Sequence, residues 1–173
     1  MTLDRFADRI QTASLTEYRP DMSILILNGP NLNHLGTRKP ELYGSKTMAQ
    51  ILLEIQRTWP EVHFMYKQSN HEGDLIDWIQ DAAKPQQDDS PDLQVQGIVL
   101  NAGGYSHTSV ALRDAVEECE IPIVEVHISD IKAREPFRQT SLLTDVCAHS
   151  IIGKGIQGYE EAVKYLIAAG GRH

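Results

Sequence analysis

The sequence contains little cysteine and no long apolar run, and each shortage excludes a class of protein. Only two of the 173 residues are cysteines, Cys119 and Cys147, and they lie far apart and outside any C-x-x-C pattern. This spacing argues against a disulfide-rich secreted fold and favours a reduced, cytoplasmic protein whose two thiols are core residues. No apolar stretch approaches the ~20 residues that a membrane-spanning helix needs.

Basic side chains are also scarce, with 16 lysines and arginines against 24 aspartates and glutamates and a formal net charge of −8. Such a chain is poorly suited to a nucleic-acid backbone or an anionic membrane, so we expect neither as a partner. The seven histidines show no zinc spacing, and there is no P-loop. The length suits one well-buried domain.

What the sequence does contain is an alternation of apolar strands and amphipathic helices. Strands are predicted at 24–27, 61–67, 98–100, 121–126 and 148–152, and helical stripes at 47–59, 75–83, 112–119 and 159–167. The alternation predicts an α/β, flavodoxin-like three-layer sandwich, with a five-stranded parallel sheet in the order 2-1-3-4-5 and helices on both faces. We expect residues 1–22 to be an N-terminal extension and residues 23–173 to form a single catalytic domain.

Short polar patterns mark where the helices begin and where loops lie. Thr47 with Gln50, and Ser69 with Glu72, match the capping box, in which two side chains bond the backbone N–H groups of a helix start. Thr108 or Ser109 is expected to cap the third helix. Residues 84–96 are predicted to be a polar surface loop, and residues 130–144 an irregular segment with short helical turns.

The segment 153–158 matches the pattern G-x-G-x-x-G between the last strand and the last helix. A dinucleotide site also requires an acidic residue for the ribose about 20 positions further on, and none follows here. We therefore interpret these glycines as allowing close packing of a strand and a helix. Lys154 would also fit a phosphorylation receiver, but Asn28 and Asn101 stand where that reading needs acidic residues.

Polar side chains gather after three strands that end at the same edge of the predicted sheet. Strand 1 is followed by Asn31, Arg38 and Tyr43, strand 3 ends in Asn101 and is followed by His107, and strand 4 supplies Glu125, His127 and Ser129, with Arg134 and Arg138 beyond them. Ligands of open α/β sheets bind beyond the carboxyl ends of such strands. We therefore expect one site at this edge.

The residue types at this edge suit a particular kind of chemistry. An unperturbed tyrosine has a pKa of about 10, and a nearby guanidinium lowers it by ~1–3 units, so Tyr43 with Arg38 suits a phenolate base. His127, with Glu125 as its carboxylate partner, suits a general acid. The amides of Ile128 and Ser129, with the arginines, suit a bound carboxylate. A base, an acid and an anion site together indicate an elimination of water next to a carbonyl.

Four motifs resemble the type II 3-dehydroquinate dehydratase family, over roughly residues 23–168. They are Asn-Gly-Pro-Asn-Leu at 28–32 with Leu-Tyr-Gly at 42–44, Gln-Ser-Asn-His-Glu-Gly at 68–73, Asn-Ala-Gly-Gly at 101–104 with Ser-His-Thr-Ser at 106–109, and Glu-Val-His-Ile-Ser at 125–129 with Ala-Arg-Glu at 133–135. The resemblance implies reversible dehydration of 3-dehydroquinate to 3-dehydroshikimate through an enolate, with no cofactor and no Schiff base. It leaves open a role in the shikimate pathway or in quinate breakdown.

The resemblance also implies a role for each matching residue. Tyr43 would take the proton at C2 with Arg38 favouring its phenolate, and His127, oriented by Glu125, would protonate the leaving hydroxyl. Asn31 would hold a water near the enolate oxygen. The substrate carboxylate would be bound by Asn101, Ile128 and Ser129, and the ring hydroxyls by His107, Arg138 and an Asp114 supplied by a neighbouring subunit. Family members assemble trimers into dodecamers, so a homo-oligomer is expected.

Three positions depart from the usual family pattern, namely Lys39 in place of Glu, Asp130 in place of Asn and His34 in place of an aliphatic residue. None of them is a position to which the resemblance assigns a catalytic role. A rival interpretation from another class is a non-enzymatic flavodoxin-like module that binds FMN or signals. Thr37 alone does not make the Ser/Thr-rich phosphate cradle that a flavin would need after the first strand.

Overall fold

The computed structural model describes residues 22–37, 45–84 and 94–170, in which five strands alternate with four α-helices. The strands are β1 (Met22–Asn28), β2 (Val62–Gln68), β3 (Gly97–Asn101), β4 (Ile123–His127) and β5 (His149–Ile152). The helices are α1 (Met48–Thr58), α2 (Glu72–Ala83), α3 (Val110–Glu118) and α4 (Gln157–Gly170). The strands and helices predicted between residues 24 and 167 are confirmed.

The strands form one sheet in the order β2-β1-β3-β4-β5, and the pairing is parallel throughout. This is the predicted order. The register places Asn28, at the end of β1, opposite Gln68 on one side and Asn101 on the other. Three polar residues therefore end neighbouring strands at the same level.

Alternating side chains of the strands build a hydrophobic core on each face of the sheet. Ile24 and Ile26 pack with buried residues of α1 and α4, whereas Leu25 and Leu27 pack with those of α2 and α3. These four consecutive residues of β1 are at most 3% exposed, as expected for a strand that is covered on both faces. The predicted three-layer sandwich with helices on both faces is confirmed.

Two of the three helix caps predicted from the sequence are present in the structure, and one is not. The Thr47 box is present, because the Thr47 hydroxyl accepts from the Gln50 amide and the Gln50 side chain accepts from the Thr47 amide. Ser109 caps α3 by accepting from Leu112 at 2.8 Å. The predicted Ser69 box is wrong.

Helix α2 begins one residue after His71, which is its N-cap and makes no capping bond with its side chain. The Ser69 hydroxyl instead accepts from the His71 amide at 2.9 Å and donates to the carboxylate of Asp74. A carboxylate is a stronger acceptor than a neutral group, and Asp74 lies in the first turn of the helix. Asp74 therefore fixes the hydrogen of the Ser69 hydroxyl, while its oxygen accepts from the His71 amide, and the N-cap of α2 lies two residues later than the pattern predicts.

The glycines at 153–158 serve the packing of α4 on the sheet, as predicted. Gly158 is buried, and a β-carbon there would lie 3.2 Å from Cγ1 of Val126 and 3.4 Å from Cγ2 of Ile151. A side chain at this position would therefore press on two core strands. Gly153 has φ of +74°, a backbone angle that favours glycine.

The first strand begins close to the predicted start of the domain. Met22 belongs to β1 and pairs with Val62, so the strand begins one residue before the predicted start of the domain. Residues 1–21 of the predicted extension and residues 85–93 of the predicted loop lie outside the described residues.

The two cysteines are half-buried. Cys119 and Cys147 pack against the core formed with α2 and α3, and burial raises the pKa of both thiols, that of Cys147 to about 12.

The segment from 130 to 144 is irregular with short helical turns, as predicted. Its two turns are 3-10 helices at Ile131–Ala133 and Pro136–Arg138. Asp130 caps the first turn by accepting from the Lys132 amide at 3.0 Å. In the ranges the structure describes, no helix is both long enough and apolar enough to cross a bilayer.

Candidate active site

A pocket of about 160 Å³ lies at the carboxyl edge of the sheet, where the segments that follow β1, β3 and β4 meet. Eight of the predicted site residues line it, namely Asn31, Asn101, His107, His127, Ile128, Ser129, Arg134 and Arg138. His34, one of the positions that depart from the family pattern, also lines the pocket. The convergence expected from the strand order is therefore observed for these residues.

The first wall of the pocket forms because the loops after β1 and β3 approach very closely. The Gly29 amide donates to the Asn101 carbonyl at 2.8 Å, and a β-carbon on Gly29 would lie only 2.4 Å from the carbonyl oxygen of Ala102. Only glycine allows that contact. Asn31, with φ of +67°, follows at the turn, and its amide donates to Oδ1 of Asn70 at 2.9 Å.

Asn101 is held from below by a tyrosine that the sequence analysis did not select. Asn101 is 4% exposed and its Nδ2 donates to the hydroxyl of Tyr159 at 2.9 Å. Tyr159 lies on α4, is fully buried, and donates in turn to Oδ1 of Asn28 at 2.8 Å. One hydroxyl thus joins the ends of β1 and β3.

His127 and Glu125 form a buried pair at the end of β4. Residues two apart on a strand point to the same face, and here Nε2 of His127 lies 2.7 Å from Oε1 of Glu125. The two side chains are 6% and 1% exposed. The expected partnership of this histidine with a carboxylate is therefore present in the structure.

Three hydroxyl groups surround the Glu125 carboxylate, and the sequence analysis had not selected them. Ser141 donates to Oε1, while Thr144 and Ser150 donate to Oε2 at 2.7 Å and 2.8 Å. Burial by itself raises the pKa of Glu125, but the interactions with His127 and these hydroxyls outweigh burial and lower the pKa to about 2. The carboxylate is therefore ionised at neutral pH and Nε2 of His127 carries the proton between them.

His107 lies beside His127, with their ring centroids 5.9 Å apart. Its Nδ1 is 2.9 Å from the carbonyl oxygen of Thr140, so Nδ1 donates the hydrogen and Nε2 is left as an acceptor in the neutral ring. Burial lowers the pKa of His107, with His127 and Arg138 acting in the same direction against the Thr140 bond. A neutral His107 can accept a hydrogen bond from a hydroxyl group in the pocket.

Two arginines bring positive charge to the pocket opposite the histidines. Arg134 donates from Nη1 to the Ser129 hydroxyl at 3.1 Å. The Glu135 carboxylate lies 3.4 Å from Nε of both Arg134 and Arg138 and so sits between them. Guanidinium groups pair well with carboxylates, so two arginines at the edge of the pocket suit an anionic ligand.

Of the predicted site residues that the structure describes, Glu125 and Asp114 do not line this pocket. Glu125 is buried next to His127 and bonds its Nε2. Asp114 is exposed on α3 and is not among the residues that line the pocket of its own chain. Arg38 and Tyr43, and with them Lys39, lie outside the described residues. Their predicted roles therefore depend on the sequence motifs alone.

Comparisons with known proteins identify a family for the chain. The model of the family "Dehydroquinase class II" matches residues 22–167. A 3-dehydroquinate dehydratase of an Exiguobacterium strain is 47% identical over 147 residues, which cover 84% of this chain and 94% of the relative. The 3-dehydroquinate dehydratase of Bacillus subtilis is 45% identical over 149 residues, covering 85% and 95%.

Solved structures point the same way. The type II dehydroquinase from Butyrivibrio crossotus superimposes with a TM-score of 0.76 at 39% identity and covers 84% of this chain and 97% of its own. The type II dehydroquinase from Propionibacterium acnes gives 0.74 at 33% identity, with 84% and 96% covered. With a family match that spans most of its length, this chain belongs to the class II dehydroquinase family.

Proposed function

We propose that this chain dehydrates 3-dehydroquinate to 3-dehydroshikimate, a step of the shikimate pathway, as a hydro-lyase. The observation that carries the proposal is the buried Glu125–His127 pair, beside a pocket whose rim includes Arg134 and Arg138. The pair provides an acid, and the rim provides a site for the substrate carboxylate. The names of the relatives supply the substrate, and membership of an enzyme family disfavours a non-enzymatic FMN-binding or signalling module.

His127 is the acid in this proposal, and its geometry defines which nitrogen acts. Nε2 donates to the ionised Glu125, so Nδ1 is the nitrogen left for the substrate. To protonate a leaving hydroxyl at C1, Nδ1 must carry a proton, which makes the ring an imidazolium. The adjacent Glu125 carboxylate stabilises that cation and fixes the orientation of the ring.

Tyr43 is the base in this proposal, and Arg38 is the group that favours its phenolate. The support for both is their position in the motifs of the 28–44 segment. Proton removal at C2 gives an enolate, and loss of the C1 hydroxyl then completes the elimination. Asn31, whose turn lines the pocket, holds a water near the enolate oxygen.

The remaining lining residues bind the substrate. Asn101 and the Ile128 and Ser129 segment hold the carboxylate, with Arg134 beside Ser129. His107 accepts from a ring hydroxyl through Nε2, and Arg138 donates to another. Asp114 reaches this region from a neighbouring subunit, so the active form is a homo-oligomer. We propose that it is a dodecamer built from four trimers, that it is cytoplasmic, and that the N-terminal extension contributes to subunit contacts.

The experiment that tests this function follows the absorbance of the conjugated enone formed when purified protein is mixed with 3-dehydroquinate. We expect turnover that chelators leave unchanged, because the proposed acid and base are side chains. Borohydride added with substrate is expected to leave no reduced imine on any lysine, Lys154 included, as measured by mass spectrometry. A protein that forms no enone contradicts the proposed activity, and a lysine adduct contradicts the enolate route.

A further inference from the structure

Tyr159 is a fully buried polar side chain to which the proposed mechanism gives no part. Its hydroxyl lies beneath the pocket, between the side chains that end β1 and β3. It accepts from Nδ2 of Asn101 at 2.9 Å and donates to Oδ1 of Asn28 at 2.8 Å. Burial raises the pKa of Tyr159, so the hydroxyl stays protonated and remains a donor.

The direction of this hydrogen-bond chain is fixed at one end by the backbone. The Gly103 amide donates to the Asn101 side chain at 3.2 Å, so the atom facing it must be the oxygen Oδ1. Nδ2 of Asn101 then faces Tyr159, and Tyr159 can only donate onward to an oxygen of Asn28. The other end agrees, because Nδ2 of Asn28 faces the Tyr66 hydroxyl at 3.5 Å.

This fixed direction matters because an asparagine amide can otherwise turn over. The torsion that ends the Asn side chain is broad and roughly two-fold, so rotation would exchange the donor and the acceptor that reach a ligand. Tyr159 accepts one of the two Nδ2 hydrogens of Asn101, and Asn101 lines the pocket. The second hydrogen is then available to the ligand, while the Asn101 oxygen is engaged by the Gly103 amide.

We propose that Tyr159 is a positioning residue for substrate binding, which acts by holding the Asn101 amide with its donor toward the substrate carboxylate. The proposal rests on the proposed function, in which Asn101 binds that carboxylate. Phenylalanine at 159 keeps the ring and removes only the hydroxyl. Asn101 would then lose one of the two bonds that orient its amide and keep only the longer one from Gly103, and Oδ1 of Asn28 would be left buried without its donor.

The test is a double-mutant cycle on KM and kcat with Tyr159→Phe and Asn101→Ala. In the wild-type background, Tyr159→Phe is expected to raise KM about tenfold with kcat within about twofold, since a binding interaction is weakened equally before and at the transition state. In the Asn101→Ala background the same change is expected to alter KM by less than about twofold, because the group it positions is gone. Effects on KM that simply add would overturn the proposal.

Tyr165→Phe is the matched control, because Tyr165 is also on α4 and its hydroxyl donates to the Ala148 carbonyl at 3.2 Å, away from the pocket lining. It is expected to leave KM and kcat unchanged. If Tyr159→Phe fails to fold, Asn28→Leu takes its place, because it removes the acceptor that orients the same hydroxyl. An inactive wild type counts against the proposed function, whereas unchanged KM in a folded, active Tyr159→Phe or Asn28→Leu variant counts against Tyr159 alone.

Discussion

At the scale of single residues, Glu125 holds a negative charge in a place from which water is nearly excluded. Four side chains, His127, Ser141, Thr144 and Ser150, bond its two oxygens. Protonation of the carboxylate would leave some of these donors without an acceptor, so the ionised form is favoured. The same set fixes the ring of the proposed acid.

The stability of the protein should therefore depend on pH through Glu125. The folded pKa of about 2 lies below the ordinary value of 4.5, so this contribution is fully present above about pH 4.5 and is lost as pH falls toward 2. The shift corresponds to roughly 3 kcal/mol. We expect urea unfolding between pH 5 and pH 2 to show this loss in the wild type and to lack it in Glu125→Gln.

The exposed Glu117→Gln, on α3, is the matched control for the loss of one carboxylate. A Glu125→Gln variant whose free energy of unfolding falls with acid as steeply as that of the wild type would contradict the assignment of the charge to Glu125. Circular dichroism at each pH verifies that the variants begin from the folded state.

The pairing of Glu125 with His127 could be expected from the sequence, whereas the hydroxyls around it could not. Residues two apart on a strand share a face, so the spacing of Glu125 and His127 within one predicted strand is enough to predict that their side chains meet. Ser141, Thr144 and Ser150 lie 16, 19 and 25 positions away along the chain. Serine and threonine are common throughout the sequence. Ser141 and Thr144 are brought to Glu125 by the folding of the 130–144 segment, and Ser150 by the pairing of β5 with β4.

At the scale of elements, the sequence was most informative where a helix or strand is defined by its own periodicity. Buried strands appear as apolar runs, and parallel strands end at one edge, so the sequence alone places the site at the carboxyl edge of the sheet. Contacts between elements that are far apart in the sequence leave no such local pattern and could not be predicted. Tyr159 on α4 bonds Asn28 on β1 across 131 positions, and in the sequence it is one of several apolar residues on a helical stripe.

Helix α4 depends on Gly158 for its distance from the sheet. A β-carbon there meets Cγ1 of Val126 at 3.2 Å, and Val126 is fully buried and β-branched, so it cannot move aside easily. We expect Gly158→Ala to lower the free energy of unfolding by about 1–2 kcal/mol, measured by denaturant titration, since overpacking outweighs the gain in helix propensity.

Gly73→Ala is the matched control, because Gly73 lies in the first turn of α2 and a β-carbon there has no neighbour within 4 Å. It should stabilise the protein by about 0.4–1 kcal/mol. A Gly158→Ala variant that is as stable as Gly73→Ala would show that the strand and the helix are not in the tight contact described here.

At the scale of the whole molecule, the position of Asp114 bears on how many chains build one site. Asp114 is exposed on α3 and does not line the pocket of its own chain. A role in binding the ring hydroxyls therefore requires a second subunit. Periodicity placed the residue on a helix, but a single sequence contains no information about which surfaces meet, so the prediction came from the family resemblance.

Mixed oligomers can test whether the site is shared. Asp114→Ala and Tyr43→Phe should each be nearly inactive alone, but subunits unfolded and refolded together should regain part of the activity. In a mixed assembly, a Tyr43 from one chain can meet an Asp114 from the other in one complete site. Refolding each variant alone is the control, and mixtures no more active than their components would refute the shared site.

We propose that Tyr43 is the base that removes the C2 proton when this molecule eliminates water from 3-dehydroquinate. This role is tested by kcat for enone formation by Tyr43→Phe, compared with the wild type and with Tyr165→Phe as a control for loss of a tyrosine hydroxyl. We predict that kcat of Tyr43→Phe falls by at least ~10²–10⁴-fold, the usual loss for a positioned base, while the variant stays folded. Near-normal turnover by Tyr43→Phe would contradict this role for Tyr43, because another group would then be the base.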